Sequence, residues 1–292
     1  MTQLPATHRG LSDLADGYDA FILDLWGVLH DGVRAYPDAV EALHALKALG
    51  KRLLLLSNAP RQTKDLARQM ERLGLTPDTY HHIMSSGQDA YTHLRQRPCA
   101  WYRDLGRRML HIGPERDRNM AEGLGVSVVS DVQFAEFVLN TGPAEATTRI
   151  DGLEPVLRQA ADRELPMVCA NPDIRVMRGE AVELCAGALA RRYEELGGEV
   201  RYHGKPYKGI YDSCFKLLDD PDPDRVLAVG DTLHTDVAGA RQVGVDSAFV
   251  PGGIHGEELG VRMGNLPGRN ALAALFEREG ETPTHVLPAF RW

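Results

Sequence analysis

Cysteine is scarce in this chain, with four in 292 residues. Cys99, Cys169, Cys185 and Cys214 lie too far apart for any paired zinc spacing, and nothing in their number suggests a disulfide scaffold. Long apolar runs are missing as well. The longest obvious one is the four leucines at 53–56, against the roughly 18 residues a membrane helix needs. The start, MTQLPATHRG, lacks the apolar core of a signal peptide, so a reducing cytoplasm is the expected compartment. Positive charge is in deficit, 33 Lys and Arg against 41 Asp and Glu, for a net −8. Long-range attraction to nucleic acid or to an anionic membrane is therefore not expected, and an anionic substrate needs a locally positive pocket. Internal repeats and low-complexity segments are absent. What is there, 43% hydrophobic and 25% charged residues over about two domain lengths, is the composition of an ordinary soluble globular protein.

Three short apolar runs end at polar residues and lead into helical periodicity: AFILDLWG (20–27), RLLLLSNAP (52–60) and RVLAVGDTLHTD (225–236). That succession of strand, loop and helix is the grammar of a parallel α/β sheet. After the first run, Val40, Leu43, Leu46 and Leu49 recur at helical spacing, with Pro37 and Asp38 suited to a first turn and Gly50 to the exit. After the second, Leu66, Met70 and Leu73 share one stripe of TKDLARQMERLGL. Both segments are predicted crossover helices.

The middle of the chain differs in texture. RMLHIGPERD, FAEFVLNTGP and LPMVCANPD read as further strand-then-loop units, with the helix-like GLEPVLRQAADRE between the last two. They either extend the same sheet or form a second small α/β domain. The length of the chain, and the position of the sharpest chemical signals outside this stretch, favour the second domain. The expected organisation is a core of residues 1–97 and 196–292 split around an insertion of 98–195. The tail GETPTHVLPAFRW reads as a surface-running end with a final apolar anchor.

In a parallel sheet the carboxyl ends of the strands share one edge, so Asp24, the pair Ser57 and Asn58, and Asp231 converge there if their strands are neighbours. Two carboxylates meeting at such an edge repel each other. A hard divalent cation resolves the repulsion, since Mg²⁺ favours one or two carboxylates, a carbonyl, waters and phosphate oxygens. Asp236, near the start of the next helix, is placed to support that metal site, or is simply an acidic residue favoured by the helix dipole. Ser57 offers a hydroxyl beside backbone N–H groups at a helix start, an arrangement that binds phosphate. Lys205, in HGKPYKG, can supply a positive charge, while Lys208 reads as a solvated surface lysine. Taken singly, an Asp that ends a strand is more often a turn or cap residue than a catalyst.

Together the residues resemble the haloacid dehalogenase superfamily of phosphohydrolases. Within it they are most similar to the class IIA proteins, sugar-phosphatase-like and pyridoxal- or nitrophenyl-phosphatase-like, which carry a large α/β cap. DLWGVLHDG looks like motif one, LLLLSNAP motif two, GKP motif three and VGDTLHTDVAGA motif four. CANPD (169–173), followed by CAGALA, looks like the end of the cap. The resemblance implies a Rossmann-like parallel-sheet core with an inserted α/β cap, and Mg²⁺-assisted attack by Asp24 on a phosphoryl group to form an aspartyl-phosphate. Asp24, the Trp26 backbone carbonyl and Asp231 then hold the metal, supported by Asp236. Ser57 and Lys205 hold the transferring phosphate, and the backbone around Gly27 and Asn58 completes the cradle. Asn171 and Asp173 either face the substrate or make a strand-end turn.

Trp26 departs from that pattern, which has an Asp there to protonate the leaving oxygen and later to activate water. Indole does neither, because its N–H is a donor of negligible acidity. General acid-base catalysis is worth roughly 10²–10⁴-fold, about 3–5 kcal/mol of barrier, so an alkyl phosphate ester suffers severely from its loss. An acyl or aryl phosphate, or an anhydride, suffers less. Two histidines, His30 just after motif one and His234 between the motif-four aspartates, can restore proton transfer if they reach the site; otherwise they are turn and helix-start residues.

The expectation is a cytoplasmic Mg²⁺-dependent phosphohydrolase acting on a small phosphorylated metabolite, with no nucleic-acid or membrane partner and with a homodimer left open. The alternative is a weakly active or inactive phosphometabolite-binding regulatory pseudoenzyme, and Trp26 is the feature that divides the two. A phospho-acceptor of the response-regulator kind is disfavoured by the cap-sized insertion before Lys205.

Overall fold

A computed structural model describes residues 4–145, 149–178 and 181–292. Among them the chain forms two compact units, one of residues 1–57, 67–84 and 205–292, the other of residues 58–66 and 85–204. The expected limits of the insertion, 98 and 195, both lie inside the second unit.

In the first unit, Ala20, Phe21, Ile22 and Leu23 are all buried, as are Leu53 to Leu56. Strands buried on consecutive residues have both faces covered, which is the situation of a parallel sheet flanked by helices. The sheet has seven strands in the order Ala6–Thr7, His285–Val286, Asp246–Phe249, Val226–Gly230, Ala20–Leu23, Arg52–Ser57 and His82–Ser85. The pairs from Ala6–Thr7 across to Arg52–Ser57 are parallel. Leu23 stands opposite Val229 on one side and Leu55 on the other, so the three strands end level with one another. Ile210, Tyr211 and Cys214, on the helix Lys208–Leu217, close one face against Ala20, Ile22, Leu54, Leu56 and Ala228.

Two details differ from the sequence reading. The helix Pro37–Ala48 buries Ala39, Ala42, Leu43 and Leu46, while Val40 is only partly covered and Leu49 is exposed beyond its end. Alanines let the helix backbone approach the sheet closely, so the buried face lies one step round from the leucine stripe. The tail does not run along the surface. His285–Val286 enters the sheet as a parallel strand, and Leu287 and Phe290, rather than the exposed Trp292, are its apolar anchors.

The second unit has its own five-stranded parallel sheet, ordered Val200–Tyr202, Met167–Cys169, Phe137–Asn140, Arg108–Ile112, Ser127–Val129. The period of two along each strand splits its side chains between two cores. Leu110, Ile112, Val138, Met167 and Cys169 pack with Leu157 and Leu189 of the helices Ile150–Asp162 and Ala186–Glu195. Met109, Phe137, Leu139 and Val168 pack on the other side with Ala90, Leu94 and Tyr102. An antiparallel hairpin, Arg175–Arg178 with Ala181–Leu184, stands apart from that sheet. No helix among the described residues is long and apolar enough to cross a membrane.

Candidate active site

The site lies at the carboxyl edge of the seven-stranded sheet, where the chain leaves three adjacent strands. Asp24 follows Ala20–Leu23 directly and its N–H donates to the Val229 carbonyl at 2.9 Å. Asp231 follows Val226–Gly230, and Ser57 ends Arg52–Ser57. The condition for convergence is met, because the strands carrying Asp231 and Ser57 flank the one carrying Asp24. A single π-helical turn, Leu233–Val237, then brings Asp236 back toward the strand end. The Thr232 N–H donates to Asp236 Oδ2 at 3.1 Å, and a Cβ on Gly230 would lie 2.1 Å from the Asp236 Cγ, so only glycine leaves room for that return.

Carboxylate oxygens of Asp24, Asp231 and Asp236 all lie within 4.8 Å of one another. Lys205 Nζ, buried among them, donates to Asp24 Oδ1 at 2.5 Å and to Asp236 Oδ1 at 2.7 Å, and reaches the Leu56 carbonyl at 3.5 Å. Burial alone would lower the Lys205 ammonium; Asp236 and Asp24 more than offset it, and the group is held charged well above its ordinary range. The carboxylates bear the reverse imbalance. Asp231 is pushed well above the usual carboxylate range, first by burial and then by the charges of Asp24 and Asp236. Burial likewise raises Asp236, to about 6, although Lys205 pulls it down.

Asp231 is held from both sides. The Thr232 hydroxyl donates to Oδ1 at 3.0 Å and the Ile254 N–H to Oδ2 at 2.7 Å. Gly27 (φ +77°) and Gly253 both press against it, each leaving 2.1 Å between a hypothetical Cβ and Oδ2. Three oxygen-donor carboxylates crowded on one ammonium, with one of them resisting ionisation, fit a small hard divalent cation. Thr232, Gly230, Gly253 and Ile254 were not singled out from sequence. The signal for the last two was the glycine pair in PGGIHG just beyond the strand Asp246–Phe249.

The remaining expected residues fall in several places. The Gly27 N–H donates to the His30 carbonyl at 3.0 Å, so the contribution visible for Gly27 is the room it leaves for Asp231. His30 is buried, and its Nδ1 accepts the Gly32 N–H at 3.0 Å; burial lowers its pKa to about 4. That bond fixes a neutral imidazole with its proton on Nε2. His234 has a largely exposed side chain that pairs with Glu279 at 2.5 Å. Trp26 packs its ring edge-on to His30, with centroids 5.6 Å apart, and keeps 38% of its surface exposed. Lys208 pairs with Asp212 on the surface.

Within the second unit, Asn58 Nδ2 donates to Asp173 Oδ1 at 2.7 Å, and Asn171 Oδ1 accepts the Asp173 N–H at 2.9 Å. The CANPD turn and the asparagine of motif two are thus tied to each other.

Comparison with known proteins bears on the family and the fold. Family models described as haloacid dehalogenase-like hydrolase match residues 21–127 and 115–244, and a HAD-hydrolase-like model matches 202–290. A hydrolase of the haloacid dehalogenase-like family from Brucella suis 1330 is 33% identical, covers 97% of this chain and 99% of its own, and superposes with a TM-score of 0.81. The glycerol-3-phosphate phosphatase of Gallus gallus is 27% identical over 87% of this chain and 86% of its own length. The 4-nitrophenylphosphatase of Thermotoga maritima shares the fold, with a TM-score of 0.69 and 23% identity over 93% of this chain and 94% of its own.

Proposed function

This chain belongs to the haloacid dehalogenase-like hydrolases, and from that membership we propose that it is a Mg²⁺-dependent phosphatase of small phosphorylated metabolites working through an aspartyl-phosphate at Asp24. The observation that carries the reading is the bridge of Lys205 between Asp24 and Asp236, inside a group of three carboxylates. A lysine so placed neutralises part of the charge of a transferring phosphoryl group and keeps the nucleophilic carboxylate ionised. The phosphatase names of the relatives support the same class of reaction.

In this reading an oxygen of Asp24 attacks phosphorus in line with the leaving oxygen. The Ser57 hydroxyl and Lys205 hold the equatorial oxygens. Asp24, the Trp26 carbonyl and Asp231, with Asp236 in support, would hold Mg²⁺, whose charge lets the carboxylates coexist ionised and offsets that of the phosphoryl group. His30, a neutral imidazole whose Nδ1 accepts the Gly32 N–H and whose remaining N–H is a negligible acid, does not serve as the acid, and neither does His234, paired with Glu279, so the Trp26 position lacks a proton donor of useful acidity. We assign the second unit, of which the expected 98–195 is the middle part, to the cap and the protein to the cytoplasm.

The test is phosphate release with and without Mg²⁺ across alkyl, aryl and acyl phosphates for wild type and Asp24→Asn. The reading requires Mg²⁺-dependent release by wild type and its loss in Asp24→Asn. Phosphometabolite binding without turnover on any class would instead favour the regulatory pseudoenzyme.

A further inference from the structure

Trp26 stands two residues beyond Asp24 on the same loop, and its ring is held rather than loose. Gly32 has φ +89°, and a Cβ there would lie 2.4 Å from the indole Cη2, so the ring rests on a position only glycine can occupy. His30 meets it edge-on at 5.6 Å and is itself fixed, buried and bonded through Nδ1 to the Gly32 N–H. An indole held against Gly32 and His30 yet 38% exposed is a preorganised aromatic surface two residues along the chain from Asp24.

We propose that Trp26 is a specificity-determining residue that selects phosphate esters of planar, acidic hydroxyls, aryl or heteroaryl phosphates, by stacking against the ring of the leaving group. The inference rests on the phosphatase reading and deepens it. Two independent observations meet in it: the braced ring and the absence of an acid. A leaving group that receives no proton departs as an oxyanion. A phenol, with a pKa of about 10, does so far more readily than an aliphatic alcohol.

The balance is complete without a protein acid. An Asp24 carboxylate oxygen bonds to phosphorus while the bond from phosphorus to the aryl oxygen breaks, and its electron pair leaves as aryloxide. Water then bonds to phosphorus and the bond to Asp24 breaks. The carboxylate is restored, inorganic phosphate is released, and the proton of water passes to solvent. An acyl phosphate satisfies the leaving-group requirement but offers no ring to stack, so the two halves of the proposal separate experimentally.

The experiment measures kcat/KM with Mg²⁺ for a series of substituted phenyl phosphates, acetyl phosphate and glycerol 3-phosphate, in wild type, Trp26→Leu and Trp26→Asp. Wild type should favour phenyl phosphate over glycerol 3-phosphate by at least about 100-fold, with a steep dependence on leaving-group pKa that flattens in Trp26→Asp. The ratio of phenyl to acetyl phosphate should fall about tenfold in Trp26→Leu, chiefly through KM. A parallel binding measurement uses phenylphosphonate and methylphosphonate. Wild type should prefer the phenyl compound about tenfold, and Trp26→Leu should lose the preference. Equal rates on glycerol and phenyl phosphates, or an unchanged phenyl-to-acetyl ratio in Trp26→Leu, overturns the proposal while leaving the phosphatase reading intact. If no phosphate is released from any ester the phosphatase reading fails, and equal binding of the two phosphonates then overturns the stacking role on its own.

Discussion

Among the described residues each unit holds one cluster of titratable side chains close enough to surround a metal ion, and the two clusters differ in how their charges are met. In the second unit, Tyr102 Oη and His203 Nε2 are 2.6 Å apart, His203 Nδ1 and Asp89 Oδ2 2.6 Å, and His93 Nδ1 lies 2.9 Å from the Asp89 carbonyl. The His93 ring meets those of His203 and Tyr102 at a tilt, with centroids 4.9 Å and 5.4 Å away. Burial lowers the His203 pKa in spite of Asp89, so the cluster holds a single carboxylate, met by a hydrogen bond from a neutral imidazole that in turn meets a phenol, with no second like charge beside it. In the first unit three carboxylates face one ammonium, and Asp231 resists ionisation. Proximity is common to both. What distinguishes a cluster that needs a ligand from one that is part of the core is like charges crowded on one another.

The sharpest way to break that contrast is to remove the proposed nucleophile of the open cluster and a partner of the closed one. Asp24→Asn should lower phosphate release by about 10⁴-fold or more with the far-ultraviolet circular dichroism unchanged; residual activity within tenfold of wild type would remove Asp24 from the reaction. Asp89→Ala, which leaves the buried Nδ1 of a neutral His203 without its partner, should cost about 1–3 kcal/mol in urea unfolding, as a buried polar group left unsatisfied does. A cost under about 1 kcal/mol would mean the closed network is not structural.

Acid should act on the second unit through its buried histidines. His111, whose Nε2 lies 2.9 Å from Thr141 Oγ1, is lowered by burial from 6.5 to about 4. The unfolded chain therefore binds a proton that the folded chain refuses between pH 6.5 and about 4. Stability is lost as the pH falls through that window, by on the order of 2 kcal/mol for this group, and His203 acts in the same direction. Unfolding of wild type and His111→Gln at pH 7 and pH 5 measures it, and the variant should show the smaller loss.

The open cluster should answer the other way. Asp231→Asn relieves repulsion and should raise the melting temperature without metal by roughly 2 °C, while abolishing the rise that Mg²⁺ gives wild type. The smallest effect belongs to Lys208→Ala, which removes an exposed pair with Asp212 and should stay within about 0.5 kcal/mol and leave phosphate release unaltered.

The sheet and the convergence of Asp24, Ser57 and Asp231 were legible because strand ends in a parallel sheet share an edge, and short apolar runs ending on polar residues mark those ends. Asp236 and Lys205 were legible through motif order. The holders of Asp231 were not. Ile254 contributes a backbone N–H and Gly253 only the lack of a side chain, so their mark in the sequence is a glycine pair rather than a chemical group. The closed cluster was hidden for a different reason: Asp89, Tyr102 and His203 are scattered over more than a hundred positions, and only the fold of the second unit gathers them. The tail was misread because its strand, His285–Val286, is two residues long and carries no periodicity.

The central claim, that Asp24 takes up the phosphoryl group, is tested most directly by acid-quenching the enzyme during turnover of phenyl phosphate with Mg²⁺ and weighing its peptides. The peptide carrying Asp24 should gain the mass of one phosphoryl group in wild type and in Trp26→Asp, and not in Asp24→Asn. Continued phosphate release with that peptide unmodified, or with the label on another residue, would contradict the account.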